Sequence, residues 1–344
     1  MYRLSHNLGI DLGTANVLIY SEGKGIVLRE PSVVAVDKND GKVISVGSDA
    51  RSMMGRTPGN IEAVRPLHSG VISDYDMTQK LLSACIRKVT GYTLVKPRVV
   101  ISVPSAVTEV EERALIQAAM EAGARRVYLI EEPLAAALGA GLDMKGPQGN
   151  MVVDIGGGLT DLAVLSMNDV AVSSSLKFGG DTFDETVIAF VRRHFGILIG
   201  ENTAEEIKIA IGTVAEREDD RSMQVKGRDL KTGLPREATI SSSDLLDGFR
   251  RAARVLLDEI LSLLEKTAPE LVADLSRNGI VLTGGGSQLR GLAELITQRT
   301  ELPCRVAEDP DICVAVGCGK SLQWLHSMQE GPIKLARRKL MQDV

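Results

Sequence analysis

Two short stretches decide the fold: NLGIDLG at residues 7–13 and NMVVDIG at residues 150–156. In each, an apolar strand carries an aspartate near its end, followed by one apolar residue and a glycine. A second apolar run follows each turn, at 17–20 and 162–165, which is typical of a β-hairpin. The stretches start 143 residues apart, a spacing that predicts two related domains and not a solenoid of short repeats.

Strands and helices alternate through both halves of the chain. The β-branched run RVVISV at 98–103 predicts a strand buried on both faces. Helical periodicity is strongest at 244–267, where apolar residues recur every three or four positions. Further helices are predicted at about 75–89, 132–141, 181–194, 203–211 (opened by a capping box of Thr203 and Glu206), 289–299 and 311–326. The pattern indicates an α/β protein with two related sheets.

The composition is that of a globular protein of two domains, with 344 residues, 44% hydrophobic, 25% charged and a net charge of −5. The acidic balance argues against a nucleic-acid partner, which needs an excess of Lys and Arg. The longest stretch without a charged residue, 278–289, is too short to cross a bilayer. Residues 1–20 do not resemble a secretory signal and no cysteines have CxxC spacing, so we expect a cytoplasmic protein.

Three glycine-bearing turns that follow predicted strands carry the expected chemistry: DLGTAN at 11–16, DIGGGLTD at 154–161 and TGGGS at 283–287. Glycine lets backbone N–H groups approach an anion closely. Two such turns facing each other would grip a polyphosphate, with Asp11 and Asp154 as ligands of Mg²⁺. Each turn alone would be an ordinary hairpin, but the matched pair and the third turn together predict nucleotide binding.

The common fingerprints of other nucleotide-binding and hydrolytic proteins are absent from the sequence. There is no GxxxxGK[ST] loop and no GxGxxG between a strand and a helix. There is also no GxSxG elbow, and the four histidines are dispersed. A P-loop, a dinucleotide fold and a serine hydrolase are therefore not expected.

Five stretches occur in the order found in the superfamily of actin, hexokinase and heat-shock-chaperone ATPases. They are IDLGTAN (10–16), LIEEPLAAALGAGL (129–142), VVDIGGGLTDLAV (152–164), GGDTFDE (179–185) and VLTGGGSQLRGL (281–292). More narrowly, EPSVVAVD (30–37), KPRVVISVPS (96–105) and GRDLKTGLP (227–235) resemble the MreB family of bacterial actin homologues. The resemblance spans about residues 6–325.

This resemblance implies an actin-like (ribonuclease H-like) duplicated fold of two lobes around an ATP cleft. The first lobe would span 1–150, with a small subdomain at about 32–67. The second would span 151–325, with a small subdomain at about 181–243. A basic tail at 326–344 would follow.

The resemblance also implies which residues form the ATP site. The two phosphate loops would be Gly13, Thr14, Ala15 and Asn16, and Gly156, Gly157 and Gly158, with Asp11 and Asp154 near Mg²⁺. The nucleoside would lie between Glu205, Glu206, Ile207 and Lys208 on one side and Gly284, Gly285, Gly286 and Ser287 on the other.

Glu131 or Glu132 would orient the water that attacks ATP, and Thr160 is a second candidate for the water site. Glu131 aligns with the water-orienting position of actin, whereas the chaperone ATPases favour Glu132. One of the pair could instead only cap the helix that opens at Pro133. A carboxylate polarises water but brings no positive charge to the γ-phosphate, so we expect a weak ATPase.

Two positions depart from the family pattern. The family usually has Thr where this chain has Leu159, and Glu where it has Asp161. The lost hydroxyl would weaken a hydrogen bond near the γ-phosphate, or the side chain would pack away from the nucleotide. The rate of ATP hydrolysis is the expectation most affected by these two changes.

The resemblance implies a homopolymeric filament at the inner face of the cell membrane that maintains rod shape by organising the cell-wall (peptidoglycan) machinery. Head-to-tail contacts can generate such open filaments. Tyr92, Leu94 and Val95 lie between Lys88 and Lys96, which suits an anionic lipid surface but equally suits the start of a buried strand.

The tail is a second candidate for membrane contact. Residues 333–341, IKLARRKLM, combine four cations with apolar residues. This composition fits a short basic helix on a membrane surface. It equally fits a solvated terminus.

Two other functions stay open. A small-molecule kinase on the same fold would need an aspartate that accepts a proton from the substrate, and Asp74 and Asp76 are candidates. A nucleotide-gated adaptor would bind ATP without assembling into filaments. Turnover of ATP without an acceptor separates the kinase from the filament, and a critical concentration for assembly separates the filament from the adaptor.

Overall fold

Two five-stranded sheets organise the computed structural model, which describes residues 7–91, 95–216 and 218–323. In the first half the strands are β1 (Asn7–Leu12), β2 (Asn16–Ser21), β3 (Gly25–Pro31), β4 (Val34–Asp37), β5 (Val43–Val46), β6 (Ile61–Val64), β7 (Leu67–His68), β8 (Val71–Ile72), β9 (Arg98–Val103) and β10 (Arg126–Glu131). The helices there are α1 (Ser48–Met53), α2 (Tyr75–Thr90), α3 (Glu109–Glu121) and α4 (Glu132–Gly139).

The second half has its own strands and helices. The strands are β11 (Asn150–Ile155), β12 (Thr160–Ser166), β13 (Asp169–Leu176), β14 (Ile197–Leu198), β15 (Ser222–Asp229), β16 (Pro235–Ser241), β17 (Ile280–Thr283) and β18 (Cys304–Val306). The helices are α5 (Gly180–Phe195), α6 (Glu201–Ile211), α7 (Ser242–Lys266), α8 (Pro269–Asn278), α9 (Leu292–Thr300) and α10 (Cys313–Ser321). Short 3₁₀ turns cover Gly285–Gln288 and Pro310–Ile312.

The two large sheets have equivalent strand orders. The first is β10-β9-β1-β2-β3, and the second, read in the same direction, is β18-β17-β11-β12-β13. In each, an antiparallel meander of three strands (β1–β3, β11–β13) continues through parallel partners of its first strand (β9, β17). A repeated topology requires the two apolar strand–turn–strand stretches of the sequence to sit at equivalent places. The predicted pair of related sheets is confirmed.

Three apolar cores hold the sheets. One joins the first sheet to α2 and α3, and includes Leu81 and Leu115. A second joins the second sheet to α5 and α7, and contains the tightly grouped rings of Phe183 and Phe249. The third lies between the halves, where α4 and α10 pack together and place Ala135 beside the strand residues of both sheets. The sequence order hides this last core, because α10 is the final described helix yet packs on β1.

Each half also carries a smaller three-stranded sheet. The first is β5-β4-β6 with α1 against it, and the second is β14-β15-β16 near α6. Cross-strand pairing within each is antiparallel throughout. These sheets lie within the ranges expected for small subdomains, about 32–67 and 181–243.

Three predicted helix boundaries are wrong. The capping box of Thr203 and Glu206 does not form, because α6 already begins at Glu201 behind Gly200. The helix predicted at about 289–299 is α9, which begins only at Leu292. At the start of the helix predicted at 311–326, a 3₁₀ turn over Pro310–Ile312 precedes α10, which begins at Cys313. Glycine and proline at these starts favour tight turns over a continuous helix.

Part of the membrane prediction lies outside the described residues, since Tyr92, Leu94 and the tail at 326–344 are not among them. Val95 is described and is half-buried just before β9. Over 7–91, 95–216 and 218–323, no helix combines the length and the apolar character needed to span a bilayer.

Candidate functional site

The turns after β1 and β11 have the same backbone geometry. Gly13 N–H donates to the carbonyl of Asn16 at 3.0 Å, and Gly156 N–H donates to the carbonyl of Leu159 at 2.9 Å. Each bond closes a hairpin turn between antiparallel strands. We call residues 13–16 the first phosphate loop and residues 156–159 the second.

The two loops face each other at close range. A Cβ atom added at Gly157 would lie 2.8 Å from Cβ of Ala15, and one added at Gly158 would lie 3.2 Å from Cγ2 of Thr14. A side chain at either glycine would force the loops apart, so glycine is needed for this approach. The predicted juxtaposition of the two turns is present in the structure.

The start of α5 holds the second loop from behind. Gly180 N–H donates to the carbonyl of Gly156 at 3.0 Å, and Asp181 N–H donates to that of Gly157 at 2.8 Å. A Cβ at Gly179 would lie 2.4 Å from the Gly157 oxygen, which only glycine tolerates. The free N–H groups of a helix start thus fix the loop that faces the cavity.

A cavity of about 590 Å³ opens between the halves, which is the size of a small-ligand site. Most of the residues expected for ATP line it: Asp11, Gly13, Thr14, Ala15, Asn16, Glu132, Asp154, Gly156, Gly157, Glu205, Lys208, Gly284, Gly285 and Gly286. Six expected residues are not part of its lining: Glu131, Gly158, Thr160, Glu206, Ile207 and Ser287.

Two carboxylates meet at the cavity floor. Burial, together with the charge of Asp154, raises the pKa of Asp11 to about 7. Burial also raises the pKa of Asp154 to about 7, although a 2.6 Å hydrogen bond from the Thr283 hydroxyl opposes the shift. A divalent cation bound between these two buried acids would stabilise their ionised forms.

The donor set fits Mg²⁺ and not a cage made wholly of protein. In the part of the chain that the structure describes, no cluster of three or more His, Cys, Asp or Glu side chains is arranged to hold a metal. Mg²⁺ usually takes one or two carboxylates and fills its other positions with phosphate oxygens and water. Asp11 and Asp154 therefore suit an ion that arrives with a polyphosphate.

Glu132, at the start of α4, projects into the same cavity from the first half. Burial and the charge of Asp161 raise its pKa well above the usual range. One oxygen of Asp161 accepts hydrogen bonds from Ser105 N–H at 2.9 Å and from the Ser175 hydroxyl at 2.5 Å. The Asp161 carboxylate is thus fixed by neighbours while Glu132 faces the ligand space.

The other two water-site candidates point elsewhere. The Ser105 hydroxyl donates to Glu131 at 3.4 Å, and Glu131 is the residue that precedes α4. Thr160 is fully buried and its hydroxyl donates to the carbonyl of Phe178 at 2.9 Å. Of the three candidates, Glu132 is the one placed on the cavity.

Only some of the residues expected beside the nucleoside, 205–208 and 284–287, line the cavity. Lys208 donates to Asp184 at 2.8 Å and to the carbonyl of Gly180 at 3.1 Å, so its charge is already paired. Ile207 is buried in the core of the second half and Glu206 points to solvent. The hydroxyl of Ser287 donates to the carbonyl of Gly284 at 2.6 Å and stabilises the third glycine turn.

Glu205 takes part in a contact across the cavity mouth. Arg51 of α1 forms an ion pair with Glu205 of α6, so the two small sheets are bridged directly. Arg65 adds weaker pairs, at 3.6 Å to Asp181 and 3.4 Å to Glu201. Glu205 therefore lines the cavity and is paired with Arg51 at the same time.

Several cavity residues were missed by the sequence reasoning. They are Leu18, Arg29, Gly70, Gly180, Asp181, Phe183, Ile209, Ala210, Gly212, Arg221, Gln288, Leu289, Arg290, Pro310, Asp311 and Val314. The GGD run at 179–181 was a usable signal, since paired glycines before a helix indicate close backbone approach. Phe183, Gln288, Leu289 and Arg290 lie in stretches that carry the family resemblance, whereas the others reach the cavity through tertiary packing.

Leu159 packs across the cleft. Its Cδ2 atom and Cγ of Pro104 occupy the space beside Gly70, at 2.7 Å and 2.9 Å from where a Gly70 Cβ would stand. The side chain lines the cavity and also contacts the first half. The sequence left two interpretations of Leu159 open, a lost hydrogen bond near the γ-phosphate and a packing role. The observed position of the side chain is compatible with both.

The two aspartates considered for a kinase, Asp74 and Asp76, lie at the start of α2 and not on the cavity. Asp74 accepts a hydrogen bond from Met77 N–H at 3.0 Å and caps α2. Asp76 lies in the first turn of the same helix, and neither aspartate is among the cavity residues. No observation at these residues favours a kinase.

Comparison with known proteins gives relatives over nearly the whole chain. The family model described as MreB/Mbl protein matches residues 5–330. The cell shape-determining protein Mbl of Bacillus subtilis is 48% identical over 337 residues, covering 98% of this chain and 99% of that protein. The cell shape-determining protein MreB of Escherichia coli is 49% identical over 327 residues, covering 93% and 94%.

Solved structures agree with these sequence relatives. The crystal structure of Spiroplasma citri MreB 5 bound to AMPPNP has a TM-score of 0.90 at 40% identity, covering 94% of this chain and 97% of that one. The MamK double helical filament has a TM-score of 0.77 at 23% identity, covering 93% and 99%, and supports the fold alone. The fold is actin-like, with two duplicated halves around the cleft, and this chain belongs to the MreB/Mbl family of cell shape-determining proteins.

Proposed function

We propose that this protein is an ATP-dependent, actin-like cytoskeletal protein that assembles into filaments and determines cell shape. The carrying observation is the pair of facing phosphate loops with Asp11 and Asp154 on the floor between them. A hairpin turn on each side would hold a polyphosphate from two directions, and Asp11 and Asp154 would be the carboxylates available to its Mg²⁺. The solved Spiroplasma citri relatives, bound to AMPPNP and to ADP, support a nucleotide in this cleft.

The loops would bind phosphate through their backbone. Gly13 and Gly156 already close the turns, so further N–H groups of each loop are free to point at phosphate oxygens. Bound Mg²⁺ would neutralise phosphate charge and favour ionised Asp11 and Asp154. The nucleoside would lie toward Glu205 and Gly285, which also line the cavity.

Glu132 would orient the water that attacks the γ-phosphate. It lines the cavity, whereas Glu131 turns to Ser105 and Thr160 to a backbone carbonyl. Its raised pKa lowers the ionised fraction of the carboxylate, so hydrolysis would be slow. A slow ATPase fits a protein in which the filament is the product.

Assembly would be coupled to the nucleotide through the cleft. Arg51 and Glu205 join the small sheets of the two halves in this structure. A nucleoside near Glu205 would change that contact and with it the relative position of the halves. Filaments need one fixed arrangement of the subunit, so a nucleotide that selects the arrangement controls assembly.

The membrane and the cell-wall machinery are proposed as further partners. The lipid contact would use Tyr92, Leu94 and Val95, which lie between the end of α2 and the start of β9. Lys88 and Lys96 flank them in sequence and favour anionic headgroups. The basic residues of 333–341 are a second proposed contact.

Sedimentation of the purified full chain tests the proposal. Samples with Mg-ATP, Mg-ADP or no nucleotide are compared over a range of protein concentrations. We expect a critical concentration that is lowest with Mg-ATP, and no pelleting for Asp154→Ala. A protein that binds ATP but stays monomeric throughout would contradict autonomous filament formation and favour the nucleotide-gated adaptor.

The membrane part has its own test. The same samples are centrifuged with vesicles of phosphatidylcholine alone or with about one third phosphatidylglycerol. We expect co-sedimentation with the anionic vesicles, lost in a Tyr92→Ser/Leu94→Ser variant and retained when 333–344 are deleted. Loss only in the deletion variant would move the contact to the tail.

A further inference from the structure

We propose that Leu159 is a positioning residue that holds the two phosphate loops together across the cleft. This role rests on the proposed nucleotide site, but it concerns the protein's own closure and not a contact with phosphate. Leu159 stands where the family usually has a threonine. Here it would act as an apolar bridge between the halves.

The contact itself is close and involves two residues of the first half. Leu159 lies in the second phosphate loop, and its Cδ2 atom and Cγ of Pro104 both border the space beside Gly70. A methyl group added at Gly70 would stand 2.7 Å from that atom, so the leucine occupies the volume that the glycine leaves free. Close packing of this kind is lost sharply when the side chain is shortened.

Gly70 links the bridge to the first phosphate loop. Its N–H donates to the hydroxyl of Thr14 at 2.9 Å. It sits in the two-residue turn between β7 and β8, where Ser69 and Gly70 both have positive φ, 48° and 76°. That conformation defines a type I′ turn, which has a fixed geometry. One rigid turn thus touches both phosphate loops.

Polar bonds lie beside the apolar contact. Directly after Pro104, Ser105 N–H donates to Asp161 at 2.9 Å and Ala106 N–H donates to the hydroxyl of Ser175 at 3.2 Å. Both acceptors belong to the strands that follow Leu159 in the second half. The apolar contact of Leu159 and these two hydrogen bonds therefore lie along the same junction between the halves.

Nucleotide release requires the halves to separate, so a weaker bridge should speed it. The release of a fluorescent ADP analogue is followed by stopped flow on the full chain, with Mg²⁺ and below the assembly concentration. We expect release about tenfold faster in Leu159→Ala, which corresponds to about 1.4 kcal/mol of lost closure. Leu159→Met keeps the volume of the side chain and should restore slow release.

A matched control and a double-mutant cycle separate this role from a general loss of stability. Leu234→Ala makes the same substitution at a side chain that is 65% exposed on the β15–β16 turn, and release should stay at the rate of the unmodified protein. Pro104→Ala should speed release less than Leu159→Ala. The double variant should be no faster than Leu159→Ala alone, because both side chains border the same space beside Gly70.

Amide hydrogen exchange tests the bridge without nucleotide. In the nucleotide-free protein, peptides covering 66–73 and 103–107 should exchange faster in Leu159→Ala and keep their protection in Leu159→Met. Unchanged exchange and unchanged release in Leu159→Ala, or additive effects with Pro104→Ala, would overturn the inference. Failure of the unmodified protein to bind the analogue would instead overturn the proposed nucleotide site, while the exchange experiment would still decide on the bridge.

Discussion

The two phosphate loops share a backbone but differ in their side chains. Asn16 and Leu159 hold the same place, since the carbonyl of each closes its turn. Leu18 and Asp161 are also equivalent, because each is the strand partner of the aspartate that precedes its loop. The first half thus has a polar residue that closes the turn and an apolar one at the strand position, and the second half has the reverse.

This difference shows which part of the repeat the site requires. The backbone turn and the preceding aspartate recur in both halves, because both are aimed at the same cavity. The side chains after the turn face different neighbours, so they are free to specialise. In the second half they became a bridge to the first half, through Leu159 to Gly70 and through Asp161 to Ser105.

The largest effect is expected at the aspartates that the loops have in common. Asp154→Asn keeps the shape of the side chain and an acceptor for the Thr283 hydroxyl, but removes the charge. We expect Mg-ATP to bind about 100-fold more weakly, in line with the strength of contacts to charged groups. Isothermal titration with Mg²⁺ and with EDTA measures the change. Equal affinity in Mg²⁺ for the variant and the unmodified protein would contradict the metal assignment.

The next effect distinguishes the two glutamates. Glu132→Gln should lower the rate of ATP hydrolysis by about 100-fold, the usual size for loss of a water-activating carboxylate, with a smaller change in affinity. Phosphate release measured in single turnover reports the rate. Glu131→Gln is the matched variant and should lose less, since its carboxylate turns to Ser105. The opposite ranking would assign the water to Glu131.

The pH dependence of stability reports how far the pKa of a carboxyl group differs between the folded and unfolded states. The folded pKa of Asp154 is raised from 3.8 to about 7, so the folded state binds its proton more tightly between these values. The free energy of unfolding of the metal-free protein should therefore fall as pH rises from 5 to 7, by roughly 2 kcal/mol.

Urea unfolding in EDTA at pH 5, 6, 7 and 8 measures this dependence. The slope should be smaller in Asp154→Asn, which has no proton to lose at that position. It should flatten above pH 7 in the unmodified protein. A slope that is identical in both proteins would show that Asp154 does not titrate in this range.

The smallest effect concerns the polar side of the first loop. Thr14→Val removes the acceptor of the Gly70 N–H and leaves that donor without its 2.9 Å partner. We expect a loss of about 1 kcal/mol in the free energy of unfolding, typical of one hydrogen bond. Thermal unfolding of the nucleotide-free protein measures it, with Thr14→Ser, which keeps the hydroxyl, as control. A loss in the serine variant as large as in the valine variant would assign the effect to packing.

Much of the site was readable from local patterns. The glycine turns, Asp11 and Asp154 were found because a strand, an acid and a glycine follow one another in a row. The family resemblance then supplied the nucleoside residues, of which Glu205 and Lys208 reach the cavity and Glu206, Ile207 and Ser287 do not. A helix repeats every 3.6 residues, so four consecutive residues cannot all face one side.

The misjudged helix starts have a local cause. Thr203 and Glu206 have the spacing of a capping box, but Glu201 already belongs to the helix. Spacing alone does not say which turn of a helix is the first, and boundaries depend on what packs before them. Pro310 signalled a tight turn that the apolar periodicity obscured.

By itself the sequence determined the duplicated α/β fold, the two phosphate loops, their aspartates and the family, because each depends on residues near one another in the chain. Only the tertiary structure decided which glutamate faces the cavity, that α10 packs back on the first sheet, and that Leu159 packs beside Gly70. Those contacts join residues that are distant in sequence, and no local period or motif records which distant surfaces meet.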